Sequence, residues 1–343
     1  MKMFRKIASI VLTVAIVLNG IPANSSVAKA ETKTYTNGDY SYTLSEDEEG
    51  NNVATITRYT GLATSITVPK SLDGYKVISI GNRAFMNDTN LSNLVIQDNI
   101  VSIGTEAFRN IKKLSSVKLS SNIVTIDSAA FAGCTTLKQI EIPASLEKTA
   151  LEYDFTGPFS GSGLETVSFE EGTTRVAQRL FKGCEKLKTI ALPNGIKTID
   201  VGAFFYCTAL ETIKMPDTVT AIQNEAFRYD AKLSEVKLSS DLKTINSAAF
   251  AGCTSLKQIE IPASLEKTAL DYDFTGPFSG SGLETISFEE GTTRVAQRLF
   301  RGCEKLTAVT IPDSVTTIDE GAFRDAKGLK EVKLPSSLES IGV

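Results

Sequence analysis

Phenylalanine returns along this chain at a fixed step: Phe85, Phe108, Phe131, Phe159, Phe181, Phe204, Phe227, Phe250, Phe278, Phe300 and Phe323. Most steps are 23 residues, and the exceptions come in pairs of 28 then 22, once from Phe131 through Phe159 to Phe181 and once from Phe250 through Phe278 to Phe300. An insertion carried inside an otherwise unchanged repeat produces that pairing. The stretch AFAGCTTLKQIEIP, Ala130 to Pro143, comes back as AFAGCTSLKQIEIP, Ala249 to Pro262. A catalytic constellation needs different groups converging on one point, so tandem identity points first to architecture.

In the copy that starts at Leu187, apolar residues fall at Leu187, Ile190, Leu192, Ile196, Ile199 and Phe204. The next copy places Leu210, Ile213, Met215, Val219, Ile222 and Phe227 at the same offsets. Alternation at Ile190 and Leu192 predicts a strand. Pro193 lacks a donor for further pairing and ends it. A second short extended piece, IKTID, follows, and VGAFFYC is expected to form a single helical turn with Phe204 inward. No such coil buries its apolar face alone, so stability must come from stacked neighbours. A period of this size with leucine at set offsets marks a leucine-rich repeat solenoid. The expected fold is mixed α/β and strand-rich, a right-handed stack of coils of about 23 residues.

Residues 1–30 carry Lys2, Arg5 and Lys6 ahead of an apolar run from Ile7 to Leu18 and end in Ala28-Lys29-Ala30, which reads as a secretory signal peptide cleaved after Ala30. The apolar run is short for a membrane span, and no other stretch is long enough to cross a bilayer. Residues 31–61 are expected to form a β-hairpin cap, with alternation around Tyr40, Tyr42 and Leu44, a polar turn at Glu46 to Asn52 and a second run from Val53. Residues 62–343 make the solenoid. It stops at LPSSLESIGV, mid-repeat, so the coil begun at Leu329 is expected to be the least ordered, with further sequence to follow in the natural protein.

The pattern L-x-x-I-x-I-P-x-x-V-x-x-I-x-x-x-A-F-x-x-C, and the opening ITVPKSLDGYKVISIGNRAF at Ile66 to Phe85, resemble the bacterial surface protein A type (BspA-like) of leucine-rich repeat. The resemblance covers nearly all of the chain after residue 30. It implies a curved solenoid with a parallel sheet on its concave face, a secreted or cell-surface location, and adhesion to host matrix proteins or other microbes. The asparagine of other leucine-rich repeats is absent from this pattern, and Pro143, Pro193, Pro216, Pro262, Pro312 and Pro335 stand just after the strand.

Chemistry is sparse. The chain has no histidine, which removes Ser-His-Asp and Cys-His nucleophile systems and His-containing zinc sites. The strand acids Glu141 and Glu260 lie five coils apart, about 24 Å at about 4.8 Å per coil. Glycosidase carboxylates need about 5–10 Å. The cysteines Cys134, Cys184, Cys207, Cys253 and Cys303 each stand three residues after a repeat phenylalanine, a slot filled elsewhere by Asp88, Ile111, Ser162, Asp230 or Ala326. Buried free thiols are the favoured reading; Cys184 and Cys207, in adjacent coils, are the one pair to consider for a bridge. The run SEDEEGNN at Ser45 to Asn52 reads as a solvated hairpin tip rather than a calcium loop. No cofactor, no metal and no enzymatic activity are expected.

The whole chain has 36 basic and 40 acidic residues; without Lys2, Arg5, Lys6 and Lys29 the balance is 32 against 40, about −8. An acidic protein is a poor holder of nucleic acid or anionic membrane. Binding through an extended surface remains. Outward strand positions, four after each leading leucine, include Lys118, Glu141, Lys214, Lys237, Glu260 and Lys333, with few aromatics. Aromatic anchors are offered by the insertions, Tyr153 with Phe155 and Tyr272 with Phe274, which could equally cover the lengthened coil. The 60 residues from Ser128 to Leu187 differ from Ser247 to Leu306 at four places, a sameness that duplication alone explains. The reading is a secreted or surface-displayed, monomeric binding module for extracellular protein or glycan. The alternative is a passive spacer displaying an anchoring or enzymatic domain.

Overall fold

The computed structural model describes residues 32–149, 156–268 and 275–342. The expected leader and the insertion aromatics Tyr153, Phe155, Tyr272 and Phe274 lie outside the described residues. The N-terminal end is antiparallel: Thr34–Asn37 pairs with Tyr40–Glu46, which pairs with Asn52–Tyr59. The turn between the last two is closed by the Asp47 carboxylate, which accepts from the backbone N–H groups of Glu49 and Asn51. Asn52–Tyr59 then pairs in parallel with Tyr75–Ile80, so its free edge starts the stack of coils.

Each coil lays two short strands on those of its neighbour. The front ladder follows the leading leucine and runs, for example, Ser65–Thr67, Asn93–Val95, Ser116–Lys118. The second ladder is built of two-residue strands such as Thr198–Ile199, Ala221–Ile222 and Thr244–Ile245. Between them each repeat proline ends the front strand, and its carbonyl accepts the turn bond three residues on, as from Val219 to Pro216 and Val315 to Pro312. The template residues Leu210, Ile213, Met215, Val219, Ile222 and Phe227 are all buried. The coil at Leu187 gives less than its alternation predicts: instead of a strand at Ile190 and Leu192 there is a single bridge, Thr189 to Thr212, because it adjoins an inserted coil.

The repeat phenylalanines stack face to face. From Tyr59 through Phe323 twelve rings follow one another with centroids 4.9–6.0 Å apart. The widest steps, 6.0 and 5.9 Å, follow Phe159 and Phe278 in the inserted coils. There Phe169 and Phe288 meet the stack edge-on at 86° and 89°, filling the extra width.

The expected helical turn around each phenylalanine is not a helix, and among the described residues the fold is built of strands and turns, not mixed α/β. Its hydrogen bonds show why. Around Phe227 the N–H groups of Glu225, Phe227 and Tyr229 donate to Ser247, Ala249 and Ala251 of the next coil. Those of Ala226, Arg228 and Asp230 close turns onto residues three back. An α-helix needs every donor for its own i−4 carbonyl; here alternate donors are claimed by the neighbouring coil. The alternation holds the residues two before and two after the phenylalanine at positive φ, as at Glu225 (58°) and Tyr229 (65°).

Both ladders break where the insertions sit. Among the described residues no backbone hydrogen bond joins strand Ser116–Lys118 to Gln139–Ile142, or Glu235–Lys237 to Gln258–Ile261. Each inserted coil then returns through a glycine in tight backbone contact: a Cβ on Gly163 or Gly282 would overlap the carbonyl oxygen of Thr135 or Thr254. Gly282→Ala is therefore expected to cost about 1–3 kcal/mol by forcing the two coils apart. Thermal unfolding checks it; an unchanged Tm would mean that the inserted coil shifts freely.

Candidate binding surface

The front sheet face presents the outward strand residues in register. Lys118 stands beside Val95, Glu141 beside Ser168, Glu260 beside Ser287 and Lys333 beside Thr310. Lys214 and Lys237 are direct neighbours across paired strands, so two ammonium groups share one exposed patch. The structure thus brings together one pair of the sequence-selected residues and spreads the others along the face.

The ladder breaks shape this face. A depression of about 450 Å³ lies at the first break, lined by Ser115, Ser116, Gln139, Glu141, Thr166 and Ser168 among others. A second, of about 630 Å³, lies at the other break, lined by Ser234, Glu235, Gln258, Glu260, Thr285 and Ser287 among others. Each residue of the second stands 119 positions after its counterpart in the first. Glu141 and Glu260 therefore occupy equivalent polar grooves rather than a flat sheet. The insertion also splits the second ladder, leaving a groove of about 860 Å³ near Leu146, Glu147, Glu170 and Arg175.

The five cysteines are free and fully buried, with no bridge between Cys184 and Cys207. Each thiol donates to the carbonyl of a phenylalanine in the preceding coil, as from Cys207 to Phe181 at 3.2 Å and from Cys253 to Phe227 at 3.1 Å. Burial pushes the thiols of Cys134, Cys184 and Cys303 up to about 12, and those of Cys207 and Cys253 well above their ordinary value. None is poised as a nucleophile or ligand. No group of three or more Cys, Asp or Glu that could hold a metal occurs among the described residues.

The family profile described as BspA type Leucine rich repeat region matches in six copies over residues 58–156, 155–274 and 275–343. The chain belongs to the BspA-type leucine-rich repeat family. A leucine-rich repeat protein from Bacteroides ovatus is similar in fold, at TM-score 0.56 and 21% identity over 90% of both chains. One from Bacteroides capillosus is 37% identical over 40% of this chain and 98% of its own, at TM-score 0.34. A leucine rich cell surface protein from Faecalibacterium prausnitzii is 25% identical over 88% of this chain and 94% of its own, at TM-score 0.33. Among curated proteins none matches the chain.

Two features of these BspA-type coils escape the sequence reading. Asp230, in the cysteine slot, is fully buried; its Oδ1 accepts from the Cys207 N–H at 2.7 Å while Oδ2 has no partner. Burial pushes its carboxyl well above the ordinary value. The other feature is a surface cluster of Phe205, Tyr206 and Tyr229 on the turn flank. Its signal was present: Tyr206 and Tyr229 stand two after a repeat phenylalanine, where the other coils carry Gly, Asn or Asp.

Proposed function

We propose that this chain is a secreted or cell-surface binding module that recognises an extracellular protein or glycan, without catalysis, through the front sheet face, taken as the concave side of the solenoid. In this reading residues 1–30 direct export and the exported chain acts as a monomer. What carries it is the recurrence of one polar groove. Two equivalent depressions around Glu141 and Glu260, with Lys118, Lys214 and Lys237 beside them, suit two weak contacts to a repeating or extended partner. Linked contacts gain avidity without any deep pocket. Family membership supports the same direction, since such solenoids offer broad interaction surfaces.

Reversing Lys118, Lys214 and Lys237 to glutamate together is expected to weaken capture of the chain on immobilised host matrix proteins or microbial cell walls by at least about tenfold, roughly 1.4 kcal/mol. Circular dichroism should be unchanged, because all three ammonium groups are exposed. Full binding by the folded variant would remove the front face from consideration. An unmodified chain that binds neither surface would favour the passive spacer.

A further inference from the structure

The cluster on the turn flank is built at the cost of backbone comfort. Tyr206 and Tyr229 hold φ of 63° and 65°, a region that bulky L residues seldom adopt. Strained residues of this kind concentrate where a protein uses them. Both rings are exposed, at 45% and 37%. They lie 4.9 Å apart, and Phe205 meets them edge-on at 4.8 and 5.8 Å. Gly252 in the next coil has no side chain because the Tyr229 ring lies against it: a Cβ there would be 2.5 Å from the ring. The result is a small, open aromatic floor crossing two coils.

Cations stand at both sides of it. Lys182 Nζ sits 5.0 Å from the Phe205 ring centre, and the Arg228 guanidinium 4.8 Å from that of Tyr229. Arg228 also donates to the Tyr229 hydroxyl at 3.1 Å and pairs with Glu225, and its Nε is left without a partner. Arg179 packs across Gly202 toward the same acid. Three basic groups around one acid make this a cationic spot on a chain whose net charge is −4.

The molecule contains its own control. The coils 119 residues earlier carry Met86, Asn87, Glu106, Arg109 and Asn110 at the places of Phe205, Tyr206, Glu225, Arg228 and Tyr229. Asn87 and Asn110 have φ of 62° and 63°, the same backbone with a residue that tolerates it. The Glu–Arg pair is common to both halves, since Arg109 also pairs with its glutamate. The aromatic rings are what the second half adds.

We propose that Phe205, Tyr206 and Tyr229, flanked by Lys182 and Arg228, form a binding site for an acidic glycan, a polysaccharide bearing sugar carboxylates. Open ring faces fit the C–H face of a pyranose, as flat aromatic surfaces fit apolar faces generally. The flanking cations supply charge-assisted bonds to the carboxylates. The site lies on the turn flank, and its case does not rest on the front face.

The test uses the full chain and calorimetric titration with polygalacturonate at low salt, beside dextran as a neutral glycan and polyglutamate as an acidic peptide. Binding of polygalacturonate in preference to both is expected. Tyr206→Asn with Tyr229→Asn should weaken it at least tenfold while Tm stays level or rises, because the variant installs what the first half carries. Lys182→Gln should weaken it severalfold, and the Lys118, Lys214 and Lys237 reversal on the front face should leave it unchanged. Equal affinity for dextran or for polyglutamate, no affinity for polygalacturonate, or full affinity in the double asparagine variant would overturn the proposal.

Discussion

Phe227→Ala is expected to lower the free energy of unfolding by about 3–5 kcal/mol, the largest loss from any single apolar substitution in this chain. The ring is fully buried, with Phe204 at 5.1 Å on one side and Phe250 at 5.0 Å on the other. Removing it leaves a void bounded by two coils that are themselves pinned by ladder bonds, so collapse is limited. Phe323→Ala should cost distinctly less. That ring is only partly buried, and its one partner in the stack is Phe300 at 5.6 Å. Denaturant unfolding of both variants decides the matter, and equal losses would show that the stack is not held by its two-sided contacts.

Asp230→Cys is expected to stabilise the fold by about 1–3 kcal/mol at pH 8, since it replaces a buried carboxyl, one of whose oxygens lacks a partner, by the residue most coils place there. The pH dependence follows from the direction of the shift. In the unfolded chain this group ionises near 3.8, whereas in the folded chain burial holds the proton to a higher pH. Between those two points the folded state carries a proton that the unfolded state has lost. The contribution of Asp230 is thus fully favourable below about 3.8 and declines as pH rises through the folded value, by at most about 1.4 kcal/mol per pH unit. The gap in stability between wild type and Asp230→Cys should therefore widen from pH 5 to pH 8. Comparing the two chains cancels the other acids, several of which, such as Glu165 beside Lys138, are held low and act in the opposite sense. A gap that is constant with pH would mean that Asp230 does not keep its proton.

Much of this architecture was legible because a solenoid converts sequence offset directly into spatial neighbourhood. Phe204 and Phe227 are 23 apart in sequence and 5.1 Å apart in space, so reading the period amounts to reading the stack. Pro216 and Pro312 marked the strand ends, since a missing N–H is a local fact about one residue. The cysteine slot was legible as a packing position from the mixture of residues that fill it.

The chain by itself determined the repeat, the apolar ladders, the single-ring stack and the family. Tertiary structure decided three things that a lone coil leaves open. Whether VGAFFYC becomes a helical turn depends on who takes its donors, and the neighbouring coil took every second one. Whether Glu141 and Glu260 lie on a flat sheet or in a groove depends on how far an insertion splays adjacent strands. Whether Tyr206 and Tyr229 form one surface depends on a left-handed backbone that the inter-coil bonds impose and that neither residue would choose alone. In each case local preference is worth about 1–2 kcal/mol per residue, and a ladder of bonds to the next coil outweighs it.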